Sequence, residues 1–259
     1  MKKRKNISHL IPLLILFWIF NSCNKEKYFG GPDSYTDDFE SYLTIDSLLD
    51  GNNVRWSFFQ QTLSSNHAEI DTQIVHSGNQ SVRFNGIQSN ETVSKSSIVK
   101  QKMAFYEGET VEIEMWFYIQ GTDDLEWLFL FDLEENSAIG AGPGMRLAMV
   151  SNQLRVEHKY NNPDIVQKPG NEINVPRNEW FKIKFETLLS QKEKGSVKVW
   201  QNDTLIIEQY NWVTLPSDFL YFQQGTKGMY TNIEFGITAN STEHDVILYL
   251  DDVTVKVKP

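Results

Sequence analysis

The sequence is poor in cysteine and in long apolar runs, and both shortages exclude classes of protein. Its 259 residues include one cysteine, so a disulfide within the chain is excluded. The apolar run over residues 10–20 contains Pro12 and is shorter than the roughly 20 apolar residues that a stable membrane-spanning helix needs. Basic residues are also few, since 24 lysines and arginines stand against 34 acidic residues.

The remaining composition is that of an acidic globular protein. A hydrophobic content of 40% and an aromatic content of 13% exclude a wholly disordered chain. The net charge is −10, and it becomes −14 without residues 1–22, which hold four basic residues and no acid. We therefore expect no nucleic-acid partner and no general binding to anionic membrane surfaces.

The amino terminus has the pattern of an export signal. The basic residues Lys2–Lys5 precede the apolar run, which predicts a secretory signal peptide. Cys23 follows Phe20-Asn21-Ser22, and this segment resembles a bacterial lipobox. The resemblance implies cleavage after residue 22, lipidation of Cys23, a tether over residues 23–36, and a lipoprotein at the outer membrane or cell surface. Contact with the membrane is then expected through the lipid anchor only.

The sequence pattern over residues 37–259 predicts one all-β domain. Val111–Ile119 alternates strictly, so that Val111, Ile113 and Phe117 share one face while Glu112 and Glu114 share the other. Further strands are predicted over 67–75, 80–84, 127–133, 145–150, 154–160, 180–188, 196–201, 204–209, 233–239 and 246–257. Short helical turns are predicted only at 47–49 and 217–219, and the glycine-rich residues 140–144 predict a loop. This pattern is typical of a sandwich of two antiparallel sheets.

Four segments in this order resemble a known fold family. They are Asp37–Glu40 with His76–Phe84, then Asn178–Ile183, Gly195–Asp203 and Leu248–Val255. Together they resemble the concanavalin A-like jelly roll found in laminin-G-like modules and in several polysaccharide lyases. The resemblance implies a jelly-roll β-sandwich and a glycan partner, and it is less specific for activity because one fold hosts many functions.

The resemblance to lyases of this fold implies a particular set of catalytic groups. β-Elimination needs a group that neutralises the uronate carboxylate, a base and an acid. The "Gln-x-His" pair of these lyases has no match, because the corresponding residues are Phe131-Asp132-Leu133-Glu134. Two segments, 221–230 and 234–238, compete for the strand that resembles "Tyr-x-Lys-x-Gly-x-Tyr".

A divergent lyase centre is nevertheless a hypothesis. The candidates for base, acid and carboxylate neutraliser are Arg146, His158, Tyr160, Lys227 and Tyr230. His158 and Tyr160 have the parity of core residues in their strand, so they reach a cleft only if the strand end is exposed. The alternative interpretation is an amphipathic strand end whose charges are solvated. The histidines show no zinc-ligand spacing.

Sugar binding makes fewer demands than catalysis. Aromatic rings stack on the apolar faces of sugars, and Trp116, Tyr118 and Trp200 are predicted on the non-core faces of their strands. The alternative is that a loop or a second layer covers these rings.

A structural calcium ion is a further expectation. Glu40 is predicted in the first strand, and Asp251 and Asp252 are predicted in the last strand; these strands are typically neighbours in such sandwiches. Carboxylate oxygens are the ligands that calcium prefers. A hydrated acidic strand end is the alternative.

Three hypotheses follow. The first is a lipid-anchored glycan-binding protein that takes part in glycan capture or degradation and binds a polysaccharide or oligosaccharide. The second is a polysaccharide lyase that cleaves a uronic-acid-containing glycan. The third is a non-enzymatic adhesion or structural module.

Overall fold

A computed structural model describes residues 34–49, 55–137, 140–158, 161–215, 229–241 and 243–258, with the backbone alone at 102, 135–137, 140–143 and 161–162. One short helix, α1, spans Ile45–Leu48. The strands are β1 Ser34–Asp37, β2 Phe58–Gln61, β3 His67–Asp71, β4 Ser81–Gly86, β5 Ser94–Phe105, β6 Thr110–Gln120, β7 Trp127–Ser137, β8 Gly140–Val150, β9 Gln153–His158, β10 Asn161–Val166, β11 Trp180–Leu188, β12 Gly195–Gln201, β13 Thr204–Trp212, β14 Tyr230–Asn240 and β15 Val246–Lys258.

The strands form two antiparallel sheets, which confirms the predicted sandwich. The eight-stranded sheet has the order β13-β12-β11-β6-β15-β4-β3, with β1 also paired to β15. The seven-stranded sheet has the order β10-β9-β8-β7-β14-β5-β2. The β7 strand lies at the middle of its sheet, as its apolar character predicted. Within the described residues, no helix has the length and apolar character that crossing a membrane requires.

The core lies between the two sheets and contains several phenylalanine rings in contact with one another. The ring of Phe131 in β7 lies 5.2 Å from that of Phe185 in β11 and 5.4 Å from that of Phe235 in β14. Phe117 in β6 contacts Phe181 at 6.2 Å between ring centroids. The inward residues predicted for β6 are all fully buried, so its alternation is confirmed.

The strand prediction differs from the structure in several places. β2, β5 and β10 were not predicted, and the sequence of β5 begins with Ser-Lys-Ser-Ser and shows little apolar alternation. Residues 140–144 do not form a loop but begin β8. A Cβ atom on Gly144 would lie 1.8 Å from the carbonyl oxygen of Leu133, so this glycine allows the close approach of two strands.

A single carboxylate organises the start of the domain. The Asp37 side chain accepts hydrogen bonds from the Trp56 indole at 2.9 Å, the Tyr42 hydroxyl at 2.7 Å, the Tyr35 hydroxyl at 2.8 Å and the Phe39 amide at 2.9 Å. Burial, together with Asp37, raises the pKa of both tyrosines, so both remain donors at neutral pH. These bonds attach β1, which pairs with β15, to the core. β1 begins before the predicted domain start at residue 37.

We expect Asp37→Asn to destabilise the protein by about 3 kcal/mol, because an amide oxygen replaces a charged acceptor and the amide NH₂ then faces donors. Urea denaturation measures this loss. Asp38→Asn is the control, since Asp38 is exposed and receives one amide hydrogen bond at 3.2 Å. Equal stability of the two variants would contradict the role of Asp37.

Candidate functional site

The outer face of the seven-stranded sheet carries a group of buried polar side chains at its centre. In β7, Asp132 and Glu134 alternate with core residues and therefore project from the outer face. In β14, Asn232 and Glu234 alternate with core residues in the same way. The four side chains are only 1–6% exposed. Polar groups are rarely buried at this density without a function or a binding partner.

Strand register aligns these side chains in two neighbouring rows. The first row runs across four strands through Glu157, Arg146, Asp132 and Glu234. The second row runs through Gly144, Glu134, Asn232 and Gln101. Arg146 therefore lies between two carboxylates, and Asn232 lies between Glu134 and Gln101.

Three of these residues form what we call the acidic cluster: Asp132, Glu134 and Glu234. One carboxylate oxygen from each lies within 4.8 Å of the others. At an effective dielectric constant of about 20, two charges at such a separation repel by roughly 3 kcal/mol. The cluster therefore needs compensating positive charge.

Two cationic side chains supply part of that compensation. The Nε atom of Arg146 lies 3.3 Å from Oδ1 of Asp132. The Nζ atom of Lys95 lies 3.8 Å from Oε2 of Glu234, and the Ser97 hydroxyl donates to Oε1 of the same carboxylate. One cation thus lies beside Asp132 and another beside Glu234.

Aromatic rings flank the arginine on this face. The Arg146 guanidinium lies 4.6 Å from the centroid of the Phe129 ring, and that ring lies 5.1 Å from the ring of Trp127. Both rings are partly exposed. A cation beside exposed aromatic surface suits recognition of an acidic sugar.

Glu157 extends the first row at its β9 end. Burial raises its pKa, the charge of Asp164 raises it further, and Arg146 opposes both effects. A carboxyl group with a raised pKa keeps its proton closer to neutral pH and is suited to act as an acid.

The structure brings His158 and Tyr230 together but buries both. His158 is 3% exposed and shares the inward parity of Val156, so the predicted exposure at the strand end is not found. Its Nε2 atom lies 3.2 Å from the Tyr230 hydroxyl, which donates to the Thr214 carbonyl at 2.8 Å. That hydroxyl has one proton, so its oxygen accepts from Nε2–H of His158. The pair lies inside the sandwich, with Trp212 packed edge-on against the imidazole at 5.2 Å.

Arg146 does not join this pair. It is paired across the strands with Glu157, so its side chain leaves the sheet on the face opposite to that of His158. Tyr160 and Lys227 lie outside the described residues. The catalytic roles proposed for these residues stay predictions.

The rings predicted to bind sugar lie on the outer face of the eight-stranded sheet and are partly covered. The His76 imidazole stacks on Trp116 with 3.7 Å between ring centroids. Tyr118 contacts Trp180 at 5.7 Å between ring centroids. The Nζ atom of Lys184 lies 5.3 Å from the centroid of Trp200. Their role in sugar binding stays a prediction, and one face of Trp116 is already occupied.

The residues predicted to hold calcium contact different parts of the segment 76–80, with Glu40 at one end of it and Asp251 and Asp252 at the other. The Glu40 carboxylate accepts from the backbone amides of Asn79 at 2.7 Å and Gln80 at 2.9 Å, and these bonds lower its pKa. Asp252 contacts the His76 imidazole at 2.6 Å, and Asp251 accepts from the His76 amide at 3.0 Å.

Among the described residues, the ligand group at this position contains His76 in addition to Asp251 and Asp252, and it does not contain Glu40. Calcium binding there stays a prediction.

Sequence reasoning missed the acidic cluster. A signal was available, since Asp132 and Glu134 directly follow the apolar residues Phe131 and Leu133. Glu234 stands in the same way between Ile233 and Phe235. A charged residue that interrupts a central strand at every second position marks the outer face of that strand.

Comparison with known proteins identifies a family. The family profile described as polysaccharide lyase matches residues 49–254. No curated protein sequence matches this chain at a significant level.

Solved structures share the fold at low sequence identity. An endo-β-1,4-glucuronan lyase from the fungus Trichoderma reesei is 13% identical, with a TM-score of 0.62 over 78% of this chain and 90% of that chain. The alginate lyase Aly36B is 11% identical, with a TM-score of 0.57 over 88% and 98%. The cellulose-induced protein Cip1 is 14% identical, with a TM-score of 0.57 over 85% and 96%. These similarities confirm the jelly-roll fold.

The buried His158 predicts a specific dependence of stability on pH. Desolvation lowers its pKa to about 4 from the ordinary 6.5. In the unfolded chain this imidazole takes up a proton near pH 6.5, whereas in the folded chain it does so only near pH 4. The free energy of unfolding therefore decreases as pH falls through that interval. The loss amounts to about 3 kcal/mol.

We expect the stability difference between the wild type and His158→Gln to shrink as pH falls from 7 to 4.5. Urea denaturation at several pH values measures it. Burial raises the pKa of Asp251 to about 6, so this residue has the opposite effect on stability, but it is present in both proteins and cancels. A constant difference would show that His158 is not held neutral.

Proposed function

This chain belongs to the polysaccharide lyase family, and we propose that it cleaves a uronic-acid-containing polysaccharide by β-elimination on the outer face of the seven-stranded sheet. Family membership favours the lyase hypothesis over the hypotheses of a binding-only protein and of an adhesion module. The relatives of known structure named above include lyases of glucuronan and alginate, which supports a uronate substrate.

One observation carries the proposal: a cationic side chain and several carboxyl groups are aligned across adjacent strands beside exposed aromatic rings. Arg146 stands between Glu157 and Asp132 in the first row. Trp127 and Phe129 provide apolar surface next to it. A rigid sheet holds such groups in fixed positions, which catalysis requires.

β-Elimination requires a group that binds the carboxylate, a base and an acid. Arg146 binds the uronate carboxylate and withdraws charge from the adjacent C5–H bond. A base removes the C5 proton, the C4–O4 bond breaks, and a C4=C5 double bond forms. The departing O4 takes a proton from an acid. Asp132 and Glu157 flank the arginine, and the raised pKa of Glu157 suits the acid role.

His158 and Tyr230 are the alternative acid and base. The neutral imidazole is able to accept a proton, but the pair lies between the sheets and is hydrogen-bonded internally. Glu157→Gln and Tyr230→Phe separate the two assignments, because loss of cleavage in only one variant identifies the group that transfers the proton.

We expect Arg146→Met to lower the cleavage rate by at least about a hundredfold, because removal of a group that stabilises developing charge typically costs this much. The assay follows the ultraviolet absorbance of the unsaturated product with alginate, with glucuronan and with a neutral glucan as a blank.

Arg155→Met is the matched control. Arg155 lies on the same face in β9 and pairs with Asp164 at 3.4 Å, outside the first row. It should retain cleavage within a few-fold. Equal losses in both variants would contradict the role of Arg146. If the wild type cleaves neither alginate nor glucuronan, the proposed substrate class is contradicted for these two polymers.

We further propose that Cys23 carries a lipid and holds the domain outside the cytoplasm at the outer membrane or cell surface. The supporting observation is the basic and apolar segment that precedes this lone cysteine. Cys23→Ser should move the protein from the membrane fraction to the soluble extracytoplasmic fraction and abolish labelling by a radioactive fatty acid. Unchanged fractionation and labelling would contradict lipidation.

A further inference from the structure

The amide of Asn232 is buried without a hydrogen bond. The residue is 1% exposed, and among the described residues neither its Oδ1 nor its Nδ2 atom has a partner. It is the cross-strand partner of Glu134 and shares its outward face with Glu234, two residues along β14. A buried amide with no partner costs about 1–3 kcal/mol, so a missing ligand of this side chain would explain its position.

The acidic cluster itself also contains an unsatisfied atom. Oδ1 of Asp132 is buried and makes no hydrogen bond within the described part of the chain, although Nε of Arg146 lies 3.3 Å away. A cation seated against this oxygen and the amide oxygen of Asn232 would give both buried acceptors a partner.

We propose that Asp132, Glu134, Glu234 and Asn232 bind a divalent cation of the calcium type. The donors are all oxygen atoms, which hard cations prefer, and the set lacks the nitrogen and sulfur ligands that zinc usually takes. Calcium–oxygen distances are 2.3–2.6 Å, so opposite ligands of one ion are about 5 Å apart. One carboxylate oxygen from each residue of the cluster lies within 4.8 Å of the others, which fits that geometry.

The position of the site gives the cation a function, and this step rests on the proposed function. An acidic cluster repels a polyuronate, whereas a cation seated in it attracts the uronate carboxylate. The cation would then share with Arg146 the neutralisation that makes the C5 proton more acidic. It would also explain how a protein with a net charge of −10 accepts a polyanionic substrate.

Calorimetric titration of the chelator-treated protein with calcium chloride, in the absence of glycan, tests the site. We expect binding that becomes at least about tenfold weaker in Glu134→Gln and in Glu234→Gln, each of which removes a charged ligand. Asn232→Asp adds a carboxylate to the site, and we expect it to bind calcium more tightly than the wild type. Circular dichroism establishes that each variant is folded.

Asp203→Asn is the control, because Asp203 is exposed in the turn between β12 and β13, belongs to neither carboxylate group and should leave this affinity unchanged. Absence of calcium binding would overturn the proposal. So would wild-type affinity in Glu134→Gln, Glu234→Gln and Asn232→Asp together, or loss of binding in Asp203→Asn alone. Binding without cleavage of any uronan would leave the cation site standing and remove the proposed function.

Discussion

The packing of apolar side chains between the two sheets, contacting phenylalanine rings among them, is the constraint on which the other features depend. Phe131 and Phe235 are cross-strand partners in the seven-stranded sheet, and Phe131 packs against Phe185 of the other sheet, so the inward faces of β7, β11 and β14 are fixed. Since side chains alternate along a strand, every neighbour of these rings is forced outward. The acidic cluster is therefore a direct consequence of core packing, because Asp132 and Glu234 are neighbours of core phenylalanines.

This arrangement places charge where it is costly. Buried carboxylates at close distance oppose folding unless cations accompany them, and the domain accommodates them at the centre of its most extensively buried strands. Stability is supplied elsewhere, by the apolar core and by anchors such as the Asp37 carboxylate. A rigid core with a destabilised polar face is a frequent combination in enzymes.

Much of the architecture was accessible from alternation alone. The inward face of β6 and the limits of β11 agree with the expectations, because apolar residues at every second position leave one choice of buried face. The central position of β7 was expected for a different reason, since its sequence is apolar on both faces. β5 escaped notice since its first residues are small and polar, and β8 was shortened because a glycine-rich segment is typical of loops. Gly144 does not form a turn; its missing Cβ atom allows β8 to approach β7 closely.

The sequence by itself determined the class of fold, the acidic character of the domain and the chemical identity of its candidate groups. Only the tertiary structure decided which groups meet. Asp132 and Glu234 stand a hundred positions apart along the chain, and they become neighbours through the pairing of β7 with β14. His158 was chemically suited to a cleft, but the second sheet covers it. Periodicity specifies the two faces of a strand, whereas strand order and sheet packing specify what each face contacts.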